Sequence, residues 1–161
     1  MPTYLPTRKE IRDLLVDLLG RDVTLNQSAP FAPGPNEPAT LAVYADDALQ
    51  ISAAVVCDLS FSALAGAAIG LVPVAGAEAA IEAQELTETI KENLYEVLNI
   101  FSALFNAADH DHLKLHDMRP ATKGGMAMND RFMALTLGRR EDLSMDIAGY
   151  GHGLFSIIMV R

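Results

Sequence analysis

The chain has 161 residues, half of them hydrophobic, and a formal net charge of −9. This length suits one domain with its own core, and the apolar content excludes an intrinsically disordered chain. The acidic balance argues against a nucleic-acid binder, because binding to phosphate backbones needs clustered Lys and Arg. We therefore expect residues 1–161 to form one soluble domain that binds no nucleic acid.

The single cysteine, Cys57, bears on whether the protein works in a reducing or an oxidising compartment. One cysteine cannot form an intrachain disulfide, and the N-terminus lacks the apolar core of a signal peptide. Both observations favour a reducing compartment, most simply the cytoplasm. Cys57 also has no basic neighbour in sequence, so we interpret it as a small core residue rather than a nucleophile.

The first predicted element is an amphipathic helix over residues 7–19. Thr7 and Glu10 have capping-box spacing, in which each side chain satisfies a free amide at the helix start. Gly20 stands where a helix commonly ends. Four prolines between residues 28 and 38 then predict a loop or an extended crossing.

Two strands follow, over residues 41–45 and 49–57. Asp46-Asp47 separates them, which favours a hairpin. The second strand, LQISAAVVC, is β-branched and apolar at its end, so we expect it to be central in a sheet.

A helix of small residues is predicted over residues 60–71, where Gly66 would permit close packing. The uncharged stretch 59–77 is long enough to cross a bilayer. Its glycines and Pro73 interrupt it, however, and no Lys or Arg sets an orientation. We interpret it as a buried helix followed by a turn and expect no membrane span.

The clearest pattern in the chain is a long helix over residues 85–106. At about 100° per residue, one of its faces is wholly apolar. That face holds Leu86, Ile90, Leu94, Val97, Leu98, Phe101, Leu104 and Phe105, whereas the opposite face holds Glu88, Glu92, Glu96, Asn99 and Asn106. The helix should therefore pack on a core and present a polar side to solvent.

The last third of the chain predicts further strands joined by tight turns, over 112–118, 131–137, 143–148 and 154–160. Short connections favour antiparallel pairing. The glycine-rich segment 149–153 lacks the strand–loop–helix setting of a phosphate-binding loop and predicts a hairpin turn. The expected fold class is α+β, a mostly antiparallel sheet with two main helices packed against it.

Three polar residues of the long helix form a spaced motif. In the segment ENLYEVLN, Glu92 is followed by Glu96 four positions later and by Asn99 three positions after that. On a helix these side chains lie within about 60° of one another. The spacing alone is more typical of a solvated polar face without chemistry, since Glu-x-x-Asn recurs by chance in glutamate-rich helices.

The motif and the order of elements resemble the CheC/CheX/FliY family of chemotaxis phosphatases. That family's motif is Asp or Ser, three residues, Glu, two residues, Asn, with a proline further downstream. An amphipathic helix, a strand pair, a small-residue helix, the motif helix and more strands occur in the same order, so the resemblance covers nearly the whole chain. One motif is present rather than two, which makes the chain most similar to CheX-like proteins.

This resemblance implies a phosphatase acting on the phosphoaspartate of a CheY-like response regulator. Asn99 would orient the attacking water, and Glu96 would contact a lysine of the receiver. The implied catalytic residues are Glu96 and Asn99, and the implied partner-binding residues are Glu92, Glu96 and Asn99. The receiver would supply Mg²⁺, so the chain would need no cofactor of its own.

The resemblance leaves two further points open. A non-catalytic relative that binds a receiver or another partner through the same helix face is the alternative function, and a homodimer is compatible with the family. The chain also departs from the family pattern. Glu92 is neither Asp nor Ser, Ala103 stands where the family often has glycine, and Pro120 is slightly nearer Asn99 than the family proline.

A histidine cluster suggests a function of another class. If residues 110–117 form a strand, His110, His112 and His116 share one face, and such spacing can chelate zinc or nickel. Lys114 would share that face and oppose a cation. The simpler interpretation is an exposed polar edge, and we assign no metal site.

Overall fold

A six-stranded sheet forms the frame of the molecule. The computed structural model describes residues 3–107 and 109–160. Within them the strands are Val23–Gln27 (β1), Ala39–Ala45 (β2), Ile51–Asp58 (β3), Lys114–Arg119 (β4), Arg140–Ile147 (β5) and Gly151–Met159 (β6). Every neighbouring pair is antiparallel, and the strand order is β1-β5-β6-β3-β2-β4. The predicted central position of the second hairpin strand, β3, is confirmed.

Helices cover both faces of this sheet. In the same part of the chain they are Arg8–Leu19 (α1), Leu59–Ile69 (α2), Val74–Ala83 (α3), Glu88–Ile100 (α4) and Met128–Ala134 (α5), with a 3₁₀-helix over Phe101–Phe105 that continues α4. The α+β class with an antiparallel sheet is confirmed. Besides the two main amphipathic helices, α1 and α4, three further helices, α2, α3 and α5, complete the layers on the two sheet faces.

The core lies on both sides of the sheet because alternate residues of a strand face opposite ways. Along β3, Ala53, Val55 and Cys57 face the layer of α1, α2 and α4. Ala54 and Val56 face the other side, where α5 and the loop before β2 cover them. Cys57 is fully buried, and burial raises the pKa of its thiol, which agrees with a packing role.

The first helix is closed by local signals at both ends. The Glu10 amide donates to the Thr7 hydroxyl at 3.2 Å, and the Thr7 amide donates to the Glu10 carboxylate at 3.0 Å. Gly20 adopts a left-handed φ of 67°, and its amide donates to the Val16 carbonyl. The predicted capping box and terminal glycine are both confirmed.

The small-residue helix α2 packs against α4 at very short range. A Cβ at Gly66 would lie 2.7 Å from the carbonyl oxygen of Ile90, so only glycine allows the two backbones to approach this closely. The longest helix in the described residues has 13 residues, and none of the helices there is long and apolar enough to cross a membrane. The interpretation of residues 59–77 as a buried helix followed by a turn agrees with this structure.

Both predicted hairpins form. Between β2 and β3, the Asp46 carboxylate accepts the amides of Ala48 and Gln50, each at 2.9 Å, which fixes the turn. Between β5 and β6, the chain reverses at residues 148–150, inside or beside the glycine-rich segment that predicted a turn.

The predicted strand over residues 131–137 is wrong, because this segment belongs to the helix α5 and the turn that follows it. The Arg140 guanidinium donates to the carbonyls of Ala134 and Thr136 at 3.1 and 2.8 Å, and so satisfies the end of α5 from the start of the strand that follows it. The residues that make these contacts are only six and four positions apart, but the strand-like pattern of the segment does not reveal them.

Two elements were not predicted, and one was predicted too long. The strand β1 is short and lies at a sheet edge, and α3 follows the turn at Pro73. The predicted helix 85–106 is α4 alone from Glu88 to Ile100, after which the backbone tightens into the 3₁₀-helix.

Candidate functional site on the outer face of α4

The motif helix α4 is anchored by its start and by its inner face. The Thr87 hydroxyl accepts the amide of Ile90 at 3.2 Å and caps the helix. The buried residues of the helix are Ile90, Leu94, Val97 and Leu98. The apolar face predicted from the sequence is therefore the face that packs on the core, and this packing orients the polar side outward.

Glu92, Glu96 and Asn99 all lie on the exposed side of α4. Within residues 3–107 and 109–160, their side chains have no hydrogen bond and no ion pair. The predicted solvent-facing stripe thus exists, and its three polar ends are available to an external group. We call these three residues the motif stripe.

The end of α4, where Asn99 lies, is held by a contact from the sheet. The Tyr44 hydroxyl of β2 donates to the carbonyl of Leu98 at 2.6 Å, and both residues are fully buried. Burial raises the pKa of Tyr44 well above its ordinary value, so the phenol stays neutral and remains a donor. The Ser102 hydroxyl donates to the Asn99 carbonyl at 2.7 Å. Asn99 is therefore carried by a fixed backbone turn.

The electrostatics of the motif stripe exclude a free anion as its ligand. Two of its three side chains are carboxylates, and Asn99 sits at the helix C-terminus, the negative end of the helix dipole. The chain as a whole carries a net charge of −9. A phosphorylated ligand can approach this face only if it carries compensating cations with it.

Two other positions belong to the family pattern, and only the first of them lies near the stripe. Ala103 is exposed in the 3₁₀-helix one turn beyond Asn99. Pro120 follows β4 and lines a cleft formed with Met118, Met126 and Asp130 near the start of α5. α5 packs on the opposite sheet face from α4.

The histidine cluster is not brought together as a metal site. Of the three histidines only His116 belongs to β4, because the strand starts at Lys114. The His110 ring packs edge-on against Tyr4, with ring centroids 5.3 Å apart. His112 and His116 line two different shallow cavities. In the part of the chain that the structure describes, no group of three His, Cys, Asp or Glu could hold a metal ion.

One residue of α4 that the sequence patterns did not single out is Tyr95. Its side chain is 47% exposed beside the motif stripe, three positions after Glu92 and four before Asn99. The signal was present in the sequence, because a large aromatic residue interrupts an otherwise acidic and amide-bearing helix face.

No model of a known protein family matches the chain, and no curated protein matches it. Solved structures do match. The FliM middle domain from Vibrio alginolyticus has a TM-score of 0.57 at 10% identity, with 94% of this chain and 87% of that chain covered. The FliM middle domain from H. pylori has a TM-score of 0.51 at 8% identity, with 94% and 83% covered.

A third similar structure is the CheX–CheY–BeF₃–Mg²⁺ complex from Borrelia burgdorferi, with a TM-score of 0.49 at 8% identity and 92% of each chain covered. The chain has the CheC/CheX/FliY-like fold that FliM middle domains share, and the fold implied by the motif helix and the element order is confirmed.

Proposed function

We propose that this chain is a CheX-like cytoplasmic phosphatase that hydrolyses the phosphoaspartate of a CheY-like response regulator. The observation that supports it is the motif stripe: Glu96 and Asn99 are exposed at the anchored end of α4, with no partner for their side chains among the described residues. The fold that carries this helix is the fold implied by the motif.

In this proposal Asn99 places the attacking water. An acyl phosphate is an activated group, and phosphoryl transfer from it depends mainly on positioning and charge neutralisation. A carboxamide offers both a donor and an acceptor, so it can hold a water in one orientation beside the phosphorus. Such positioning accounts for a rate effect on the order of a hundredfold. The contact between Tyr44 and Leu98 keeps the Asn99 backbone still while the water is held.

Glu96 and Glu92 act in docking. A carboxylate at Glu96 pairs with a lysine of the receiver, and an exposed pair of this kind contributes about 0.2–1 kcal/mol. Glu92 adds a second carboxylate to the same rim, one methylene longer than the family's Asp. The receiver supplies the Mg²⁺ that neutralises the phosphoryl group, and the chain supplies no metal of its own. This division explains how an acidic face can approach a phosphorylated partner.

A second candidate function is binding without hydrolysis through the same face. FliM domains of this fold occur in complexes with FliG and with SpeE in H. pylori. Glu92 carries a longer side chain than the family's Asp or Ser two turns before Asn99, and Ala103 adds a methyl group one turn after it. Under this alternative Glu96 and Asn99 contact the receiver but place no water.

The decisive experiment follows the decay of a phosphorylated CheY-like receiver from the same organism. Wild type should accelerate the decay, and Asn99→Ala should remove about a hundredfold of that acceleration. The matched control is Asn129→Ala, an exposed asparagine of α5 on the opposite sheet face, which should leave the rate unchanged.

Binding of the receiver, measured in parallel by calorimetry, separates the two functions. If wild type and Asn99→Ala bind equally but neither changes the decay, the chain is a binder. If wild type neither binds nor accelerates decay across several receivers, both candidate functions are wrong.

A further inference from the structure

Tyr95 differs from the other tyrosines of the chain. Tyr4 donates its hydroxyl to the Glu10 carboxylate, Tyr44 to the Leu98 carbonyl and Tyr150 to the Val72 carbonyl, each at 2.6 Å. Within the residues that the structure describes, the Tyr95 hydroxyl has no partner, and its ring contacts no other aromatic ring. Three tyrosine hydroxyls thus form hydrogen bonds within the molecule, whereas that of Tyr95 is available to a partner.

The position of Tyr95 places it on the proposed working surface. Residues three and four apart on a helix are neighbours, with Cβ atoms about 5–6 Å apart. Tyr95 therefore lies next to Glu92 on one side and Asn99 on the other, and it adjoins Glu96 in sequence. Tyr95 is 47% exposed at one edge of the polar stripe, where its large ring is open to solvent.

We propose that Tyr95 is the apolar anchor with which the α4 face docks onto the receiver. This inference rests on the proposed function, since the receiver is the partner that the motif stripe faces. The flanking carboxylates require a cationic partner surface, and the ring requires an apolar one. A receiver surface with a lysine beside apolar side chains meets both requirements, because the ring can cover the lysine stem while Glu96 pairs with its ammonium group.

Tyr95 can contribute more binding free energy than the carboxylates around it. A tyrosine buries a large rigid area at the cost of only two side-chain torsions, and aromatic residues dominate the binding energy of protein interfaces. The exposed carboxylates beside it contribute little affinity by comparison. Tyr95 should therefore set how tightly the receiver binds, whereas Asn99 sets how fast the bound phosphoryl group is hydrolysed.

The test compares Tyr95→Ala with Phe132→Ala. Phe132 is a matched control because it is an exposed aromatic residue, at 63% of its surface, on α5 across the sheet. Each variant is titrated with a receiver activated by beryllofluoride and Mg²⁺, and the dephosphorylation rate is measured over a range of phosphorylated-receiver concentrations. Tyr95→Phe is included to separate the ring from the hydroxyl.

We expect Tyr95→Ala to weaken binding and raise KM by about tenfold or more, with kcat within about twofold of wild type. Phe132→Ala and Tyr95→Phe should match wild type in binding. The inference is overturned if Tyr95→Ala binds the receiver as tightly as wild type. That result leaves the proposed function standing, whereas a wild type without binding or hydrolysis overturns both.

If wild type binds the receiver but does not hydrolyse its phosphoryl group, and binding is weaker in Tyr95→Ala, the role of Tyr95 as an anchor is supported. In that case only the proposed phosphatase activity is wrong. A fold defect in Tyr95→Ala is recognised because its unfolding curve would differ from those of Tyr95→Phe and wild type. In that event Tyr95→Ser and Tyr95→Lys repeat the titration with different side chains, and normal binding by either folded variant overturns the inference.

Discussion

Helices α1 and α4 are built alike and used differently. Both are amphipathic, with 12 and 13 residues, both start at a threonine cap, and both bury one face in the same core. Their polar faces differ. On α1 the Glu10 carboxylate accepts the Tyr4 hydroxyl and the Thr7 amide, and Lys9 pairs with Asp13 at 2.6 Å. On α4 the motif stripe has no such partners within the described residues.

Polar helix faces differ in whether the fold already uses their side chains. Carboxylates that complete a cap or an i,i+4 pair are already used by the fold. Carboxylates and amides that are exposed and unpaired on an anchored helix remain available to a partner. Sequence spacing identifies the cap and the i,i+4 pair on α1, but it does not show whether Glu92, Glu96 and Asn99 find a partner, because that depends on what packs beside them.

The ends of the two helices sharpen this difference. Gly20 closes α1 with its own backbone, whereas α4 depends on the hydroxyl of Tyr44 from the sheet. Tyr44→Phe should lower the free energy of unfolding by about 1–3 kcal/mol, because the buried Leu98 carbonyl loses the hydroxyl that donates to it. Urea denaturation measures the change.

The control for this variant is Tyr95→Phe, which removes a hydroxyl that has no partner in the described residues. It should alter the free energy of unfolding by less than about 0.5 kcal/mol. Equal effects of the two substitutions would mean that the contact between Tyr44 and Leu98 does not hold the end of α4.

The starts of the helices should respond alike. Thr7→Ala and Thr87→Ala each remove a hydroxyl that accepts a helix amide, so each should cost about 1 kcal/mol of stability. Thermal and urea unfolding measure both, and Thr89→Ala, an exposed threonine inside α4, is the control. A cap effect in only one helix would show that the two starts are not equivalent.

The smallest expected effect is a pH dependence that belongs to α1. The Tyr4 hydroxyl, and then the Thr7 amide, hold the pKa of Glu10 below its ordinary value of 4.5. A lowered folded-state pKa gives stability that is present above the unfolded pKa and is lost as the pH falls through the folded pKa. Wild type should therefore exceed Glu10→Gln in stability near neutral pH.

That advantage should vanish in acid, below the folded pKa of Glu10. Urea unfolding of both proteins across the acidic range measures it. Tyr4→Phe removes the main cause of the lowered pKa and should give an intermediate curve. Parallel pH curves for wild type and Glu10→Gln would contradict the assigned role of Glu10.

Much of the fold could be predicted because its signals are local. The capping box and Gly20 lie within a few residues of the helix they delimit, and Asp46 fixes its own turn. The apolar face of the predicted helix 85–106 follows from period alone, and all eight residues predicted for that face are buried. The exposed position of Glu92, Glu96 and Asn99 follows in the same way, whereas their chemistry stays a prediction.

The parts that could not be predicted depend on contacts between distant segments. The edge strand β1 gains its hydrogen bonds from β5, more than a hundred residues away in sequence. The histidine cluster fails as a unit because β4 starts only at Lys114, where pairing with Ala45 of β2 begins. Neither the pairing of β1 nor the start of β4 can be read from the sequence of the short segment concerned.

By itself, the sequence determined the periodic elements, their caps and turns, and the polar stripe on α4, since period and capping act within a few residues. Only the tertiary structure decided that β1 pairs with β5, that Tyr44 holds the end of α4, and that Tyr95 alone among the tyrosines of the described residues lacks an internal partner. Those outcomes depend on contacts between residues that are far apart in sequence, such as Tyr44 with Leu98 and Tyr150 with Val72, and no local pattern encodes them.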